Sequence, residues 1–225
     1  MEENIYRTDI FLSWLQDPSV DPESREVWVE NQREQFSYLR LRGLRQDHRV
    51  LDVGCGPLRL GAALLPYLVE GWYFGQDINA STLAVGEGVL GRLGVKSERF
   101  TLIHSDDFTF PGVEDGSIDV AFSNSLFSHL TMNSILRCLL RVRAALRLDG
   151  VYYSTFFLVP DGADWNEPVP RTQREKQFCS NPAADPYHYT EAMIADLARH
   201  AGFTLEIDAA YGHQVQTMGV FRPIA

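Results

Sequence analysis

The chain has 225 residues, 45% of them hydrophobic and 12% aromatic, which suits one well-cored globular domain with small additions. A formal net charge of −10 argues against a protein that grips nucleic acid through its phosphates, since that task needs a basic stripe or patch. Cys55, Cys138 and Cys179 are odd in number, far apart and without a CxxC, so neither a disulfide framework nor a thiolate zinc site is expected.

The opening "MEENIYRTDIFLSWLQ" carries acids where a secretion signal has its basic region, and its apolar stretch is too short and too interrupted for a membrane span. A cytoplasmic protein with no membrane association, monomeric or homodimeric, is the expectation. "DPESREVWVENQREQFSYLRLRGL" then reads as a long, heavily charged helix started by an Asp-Pro pair, part of an N-terminal helical cap over residues 1–45.

From residue 46 the pattern alternates. "RVLDV" is a buried strand, "PLRLGAALLPYL" a helix, "WYFGQDI" a strand, "ASTLAVGEGVLGRLG" a glycine-weakened helix and "FTLIHSD" a third strand. "SIDVAFSN" follows as a fourth strand, "TMNSILRCLLRVRAALR" as an apolar-faced helix and "GVYYSTFFLV" as a fifth strand. Strict alternation implies a doubly wound, mostly parallel sheet with helices on both faces. The rhythm breaks over about 160–189, "PDGADWNEPVPRTQREKQFCSNPAADPYHY", read as a long loop or lid of the kind that is usually functional or disordered. A helix, "TEAMIADLARHAG", and two strands joined by a turn at Gly212 close the chain as an antiparallel hairpin, making seven strands in all.

The turn "RVLDVGCGPLRLG" carries the chemistry. A glycine-rich turn between strand and helix usually cradles phosphates, but Asp52 would repel a phosphate, and the third glycine of a dinucleotide fingerprint is replaced by Arg59. A carboxylate there suits a ligand bearing an ammonium and a sulfonium, and S-adenosylmethionine carries both.

"VLDVGCGP" resembles the first motif of the class I, Rossmann-like S-adenosylmethionine-dependent methyltransferases, and the likeness runs in order from about residue 48 to 222. It implies that Asp52, Gly54, Cys55 and Gly56 face the cofactor, and that Asp77, with Ile78 behind it, closes "YFGQDIN" as the acid for the ribose hydroxyls. It also implies that Asp106 or Asp107 of "LIHSDDF" lies near the adenine, and that "DVAFSNSLFSHL", with Asn124, runs beside the methyl group. Read singly, Asp52 could cap a turn, Asp77 could face water and Asp106 could cap the next segment; their recurrence at three successive strand ends favours the shared role. Leu58 departs from the family, which often has a third glycine there, and Asp149 stands where proline or a second glycine is common.

Methyl transfer to a hydroxyl needs positioning and a base. His129, where the fourth strand passes into its helix, and His188, in "DPYHYT", are the two candidates, the plainer reading of either being a packed, hydrogen-bonded histidine. Trp165, Tyr187 and Tyr189 offer aromatic faces to a sugar ring or phenol, or simply form a hydrophobic lid. Asp161, Asp164 and Glu167 could collect magnesium, but acidic loops are usually just solvated and no metal site is assigned. The segment after the fourth strand, "SNSLF", lacks the Asn/Asp-Pro-Pro-aromatic turn by which members of this fold grip the amino groups of DNA bases or glutamine. The expectation is therefore a small-molecule hydroxyl, of a sugar or other natural product, with a small-molecule N-methyltransferase or a non-catalytic binding module as alternatives.

Overall fold

Runs of branched apolar residues bounded by glycine set the first strands, and helix caps set most of the helices between them. The computed structural model describes residues 22–173, 176–211 and 215–224. The chain divides into two compact units, Met1–Val113 and Glu114–Ala225.

The first unit contains α1 (Pro22–Leu41), β1 (Arg49–Val53), α2 (Arg59–Leu64), β2 (Trp72–Asp77), α3 (Ala80–Arg92) and β3 (Phe100–His104). Its strands run parallel in the order β3-β2-β1, with Asp52 opposite Gly75 and Asp77 opposite His104. Val50 to Val53 are all buried, the near-continuous run of a strand covered on both faces. Asn79 caps α3 by accepting from the Thr82 amide, so only two residues separate the helix from β2. The charged α1 buries Gln35, Tyr38 and Leu39, and its Gln32 donates to the Arg59 carbonyl at 2.5 Å, tying it to the start of α2.

The second unit contains β4 (Ile118–Ser123), a 3-10 turn at Phe127–His129, α4 (Met132–Ala145) and the long β5 (Leu146–Leu158). It continues with β6 (Val169–Gln173), β7 (Lys176–Ser180), β8 (His188–Tyr189), α5 (Glu191–His200), β9 (Phe203–Asp208) and β10 (Thr217–Pro223). β4 and β5 are parallel, while β5, β10 and β9 pair antiparallel in that order. The Gly212 turn lies outside the described residues. An aromatic cluster fills this core: Phe127 lies 6.0 Å from Tyr152, 6.3 Å from Phe156 and 6.0 Å from Phe221, ring centre to ring centre.

Residues 160–189 are not an irregular loop. β6 and β7 form an antiparallel hairpin with Arg171 opposite Phe178, and β8 runs parallel to the end of β5, His188 beside Phe157. The hairpin has too little apolar alternation to announce itself, because its stability comes from tertiary contacts. Phe178 packs on Phe157 at 5.7 Å, Arg171 stacks over the same ring at 5.1 Å, and Arg171 Nη2 donates to the Leu158 carbonyl at 2.6 Å. Among the described residues no helix is long and apolar enough to cross a membrane.

Candidate active site

The glycine turn after β1 is held by the residue that precedes the ribose-acid candidate. The Gln76 carbonyl accepts from the amides of Gly54 at 2.8 Å and Cys55 at 2.9 Å, while its side chain donates to the Ser105 carbonyl at 2.6 Å. Gln76 thus ties the ends of three strands together. Gly54 (φ 70°) and Gly56 (φ 56°) take left-handed backbone that L side chains adopt only at a cost, and a Cβ on Gly56 would meet nothing within 4 Å, so the turn presents an open cradle.

Asp77 grips the same turn. Its carboxylate accepts from the Gly56 amide at 2.8 Å and from the Asn79 amide at 2.9 Å, one on each oxygen. The two oxygens of a carboxylate offer about four lone-pair sites, so the group keeps acceptor capacity for a hydroxyl donor. Burial raises the Asp77 carboxyl above its ordinary range, opposed by the amides of Asn79, Gly56 and Ile78. The Ile78 carbonyl accepts from His104 Nε2 at 3.0 Å.

Asp52 lies beneath the turn, 3% exposed, and accepts a 2.8 Å hydrogen bond from the Tyr73 hydroxyl. Burial pushes its carboxyl up to about 7, against the downward pull of the Tyr73 hydrogen bond and the Arg59 charge. Two glycines make room for Tyr73: a Cβ on Gly61 would come within 2.8 Å of its hydroxyl, and one on Gly75 within 2.9 Å of its ring. Cys55 is buried beside them, and burial drives its thiol up, which suits a packing residue.

The two acids after β3 divide their tasks. Asp107 is a turn former, accepting on one oxygen from Ser105 Oγ at 2.9 Å, the Thr109 amide at 3.0 Å and Thr109 Oγ1 at 2.7 Å. Asp106 is exposed at the strand end.

In the second unit, β4 ends in a polar turn. Asn124 accepts from the Tyr211 hydroxyl at 3.1 Å, and Ser125, at φ 59°, donates from its amide to Thr155 Oγ1 at 2.7 Å. Phe127, fully buried in the aromatic cluster, anchors the 3-10 turn and places His129 two residues on. His129 Nδ1 lies 2.6 Å from Asp185 Oδ1, with the two side chains 18% and 26% exposed. A carboxylate can only accept, so Nδ1 carries the hydrogen, and in the neutral ring Nε2 holds the lone pair.

The other candidates occupy this same unit. Tyr187 is half-buried, and its amide donates to the Ser128 carbonyl at 2.7 Å. Tyr189 is buried, its hydroxyl donates to the Leu130 carbonyl, and burial raises its phenol well above the ordinary value. His188 is 1% exposed with both ring nitrogens engaged: Nδ1 at 3.1 Å from Ser180 Oγ and Nε2 at 2.9 Å from the Trp165 carbonyl. Trp165 is half-buried, and its indole N–H is buried without a hydrogen-bond partner. Asp161, Asp164 and Glu167 are exposed, and among the described residues no three His, Cys, Asp or Glu side chains converge on a common point.

Sequence reasoning missed Gln76, Tyr73 and Asp185. Gln76 and Tyr73 sit in a strand buried almost throughout, whose sequence signals burial, not hydrogen bonding. Asp185 stands 56 residues from His129, and its only signal is its place in "ADPYHY", three residues before a histidine that had been singled out.

A family model described as a methyltransferase domain matches residues 51–152. Over 152 residues the chain is 24% identical to an uncharacterized methyltransferase, YcgJ, of Bacillus subtilis (strain 168), covering 68% of this chain and 54% of the relative, so it spans about half that relative's length. The methyltransferase CcbJ of Streptomyces caelestis shares the fold with a TM-score of 0.71 at 15% identity, covering 100% of both chains. The 1,6-didemethyltoxoflavin-N1-methyltransferase of Burkholderia thailandensis, solved with S-adenosylhomocysteine bound, matches with a TM-score of 0.65 at 20% identity over 98% of this chain and 88% of its own. The glycine cradle, the acid closing β2 and the mostly parallel strands with an antiparallel C-terminal pair agree with these matches: the chain shares the Rossmann-like fold of these methyltransferases, and its residues 51–152 match a methyltransferase domain.

Proposed function

We propose that the protein transfers a methyl group from S-adenosylmethionine to a hydroxyl of a small molecule, a sugar or other natural product. The observation that carries this reading is the 2.6 Å pairing of His129 with Asp185. An amine acceptor at neutral pH needs little help beyond positioning, whereas a hydroxyl must lose its proton, and an imidazole oriented by a carboxylate is the usual device for that.

Bound S-adenosylmethionine would supply an activated methyl group on a sulfonium leaving group. Asp77 would accept from the ribose hydroxyls, the Gly54–Gly56 backbone would cradle the amino-acid portion, and Asp106 would stand near the adenine. Asp52 would offset the positive charge from beneath the turn. His129 Nε2 would take the acceptor's proton as the oxygen–carbon bond forms and the carbon–sulfur bond breaks, its electron pair going to sulfur. Nδ1–H stays on Asp185, which stabilises the imidazolium that results. Tyr187 and Trp165 are the acceptor-facing aromatics in this reading. The acidic surface and absent Asn/Asp-Pro-Pro-aromatic turn count against nucleic acid as the acceptor.

The N1-methyltransferase of Burkholderia thailandensis, which shares this fold, favours a second reading, a small-molecule N-methyltransferase. Calorimetric titration with S-adenosylmethionine and S-adenosylhomocysteine, with Asp77→Ala alongside, comes first. Micromolar binding lost in the variant is the expected result. Labelled methyl transfer to panels of hydroxylated and amino acceptors follows, with His129→Ala costing about a hundredfold or more in rate on a hydroxyl. Turnover of amines alone, indifferent to His129, would move the second reading to the front.

A further inference from the structure

Each of three consecutive residues at the end of the post-β4 turn is held by one strap. The Ser128 carbonyl accepts from the Tyr187 amide, His129 Nδ1 meets Asp185, and the Leu130 carbonyl accepts from the Tyr189 hydroxyl. Strap residues 187, 185 and 189 therefore grip turn residues 128, 129 and 130 respectively. Asp185 sits on the loop 181–187, whose two legs meet at its base, where the Asn181 amide donates to the Pro186 carbonyl at 2.8 Å and the His188 amide to the Asn181 carbonyl at 3.1 Å.

The His188 ring lies at that base. The Trp165 carbonyl can only accept, so Nε2 carries the hydrogen, and in the neutral ring Nδ1 accepts from the Ser180 hydroxyl. Ser180 Oγ in turn accepts from Arg171 Nε at 3.0 Å, and Arg171 Nη2 donates to the Leu158 carbonyl. The chain of donors has a single direction, Arg171 to Ser180 to His188 to Trp165. It fastens β7, the entrance to the Asp185 loop, to β8, its exit.

We propose that His188 is a positioning residue, whose ring closes the base of the loop that delivers Asp185 to His129. The inference rests on His129 and Asp185 acting as a pair. His188 does not touch the reacting atoms; it acts through Asp185, and losing its bond to Ser180 frees the entering leg of the loop.

The test reads the His129 tautomer and needs no acceptor. The full chain is labelled with ¹⁵N at histidine and its ring-nitrogen spectrum recorded at mildly alkaline pH, with the His129 signals assigned from His129→Asn. A ring paired with Asp185 holds its hydrogen on Nδ1, whereas an unpaired neutral histidine favours Nε2. Asp185→Ala should move the hydrogen to Nε2; if it leaves His129 unchanged, the pair itself is refuted. His188→Gln keeps a donor for the Trp165 carbonyl but loses the acceptor for Ser180, and His188→Asn does the reverse. His188→Gln and Ser180→Ala should reduce the His129 Nδ1–H form to less than about half, with His188→Asn remaining close to the wild type. Circular dichroism identifies variants that keep the fold, and two routes break the same bond in case one does not. Folded His188→Gln and Ser180→Ala proteins that retain the Nδ1–H form, while Asp185→Ala loses it, would overturn the proposal and leave the pair standing.

Discussion

At the scale of single residues, Asp52 is the most informative. It is buried on Tyr73 with its carboxyl pushed up to about 7, so in the folded chain it holds a proton that the unfolded chain releases near the ordinary carboxylate value of 3.8. A raised carboxyl contributes stability that is complete below the unfolded value and is lost as pH rises through the folded one. The ligand-free protein should therefore lose stability between about pH 4 and pH 7, with Asp77, also raised by burial, acting in the same direction. Urea titrations across that range should show the fall, and Asp52→Asn should flatten part of it. A cation bound above Asp52 restores the ionised form. Binding of S-adenosylmethionine near pH 7 should then release protons, read from calorimetry in buffers of different ionisation heat, and Asp52→Asn should reduce that release. Equal heats in both buffers would remove Asp52 from the cofactor's surroundings.

At the scale of elements, the missing family glycine is explained by a neighbour. Leu58 takes the left-handed φ of 62° at the cap of α2, where glycine would be unstrained, and its side chain is wholly buried. α3 accommodates it with Gly86: a Cβ there would lie 2.6 Å from Leu58 Cγ and 2.9 Å from the Pro57 carbonyl carbon. Gly86 thus leaves the room that the Leu58 side chain occupies. Gly86→Ala should destabilise the protein by about 1–3 kcal/mol, because the backbone at Pro57 cannot yield as a side-chain tip could. Leu58→Gly relieves strain but empties a core site and should also be destabilising, by about 2 kcal/mol net. Both are read from urea midpoints. The sequence showed Leu58 as a departure but could not show its partner, since Gly86 reads locally only as a weak point in a helix. The strands and helices up to β5 were legible because periodicity reports burial directly. The β6–β7 hairpin and Asp185 were not, because each is fixed by partners far away in the chain: Phe157 beneath Phe178, and His129 beside Asp185.

At the scale of the whole molecule, the two units contribute different parts of the proposed chemistry. Gln76, Asp77, Asp52 and the glycine turn all belong to Met1–Val113, while His129, Asp185 and the aromatic strap belong to Glu114–Ala225. Donor binding and proton removal should therefore be separable by mutation. Anything that binds the folded chain and not the unfolded one stabilises it by about 2.7 kcal/mol at a concentration a hundredfold above its dissociation constant. In a protein of this size that corresponds to a rise of about 5–10 °C in melting temperature. S-adenosylhomocysteine at saturating concentration should produce such a rise in the wild type, in His129→Ala and in Asp185→Ala alike, and should fail to do so in Asp77→Ala. A melting shift abolished by Asp185→Ala would mean that the strap holds the donor rather than the base, and would reassign the acid from proton chemistry to cofactor binding. An undiminished shift in Asp77→Ala would remove the ribose acid from the cofactor site, leaving the glycine cradle to hold the ligand by its backbone alone.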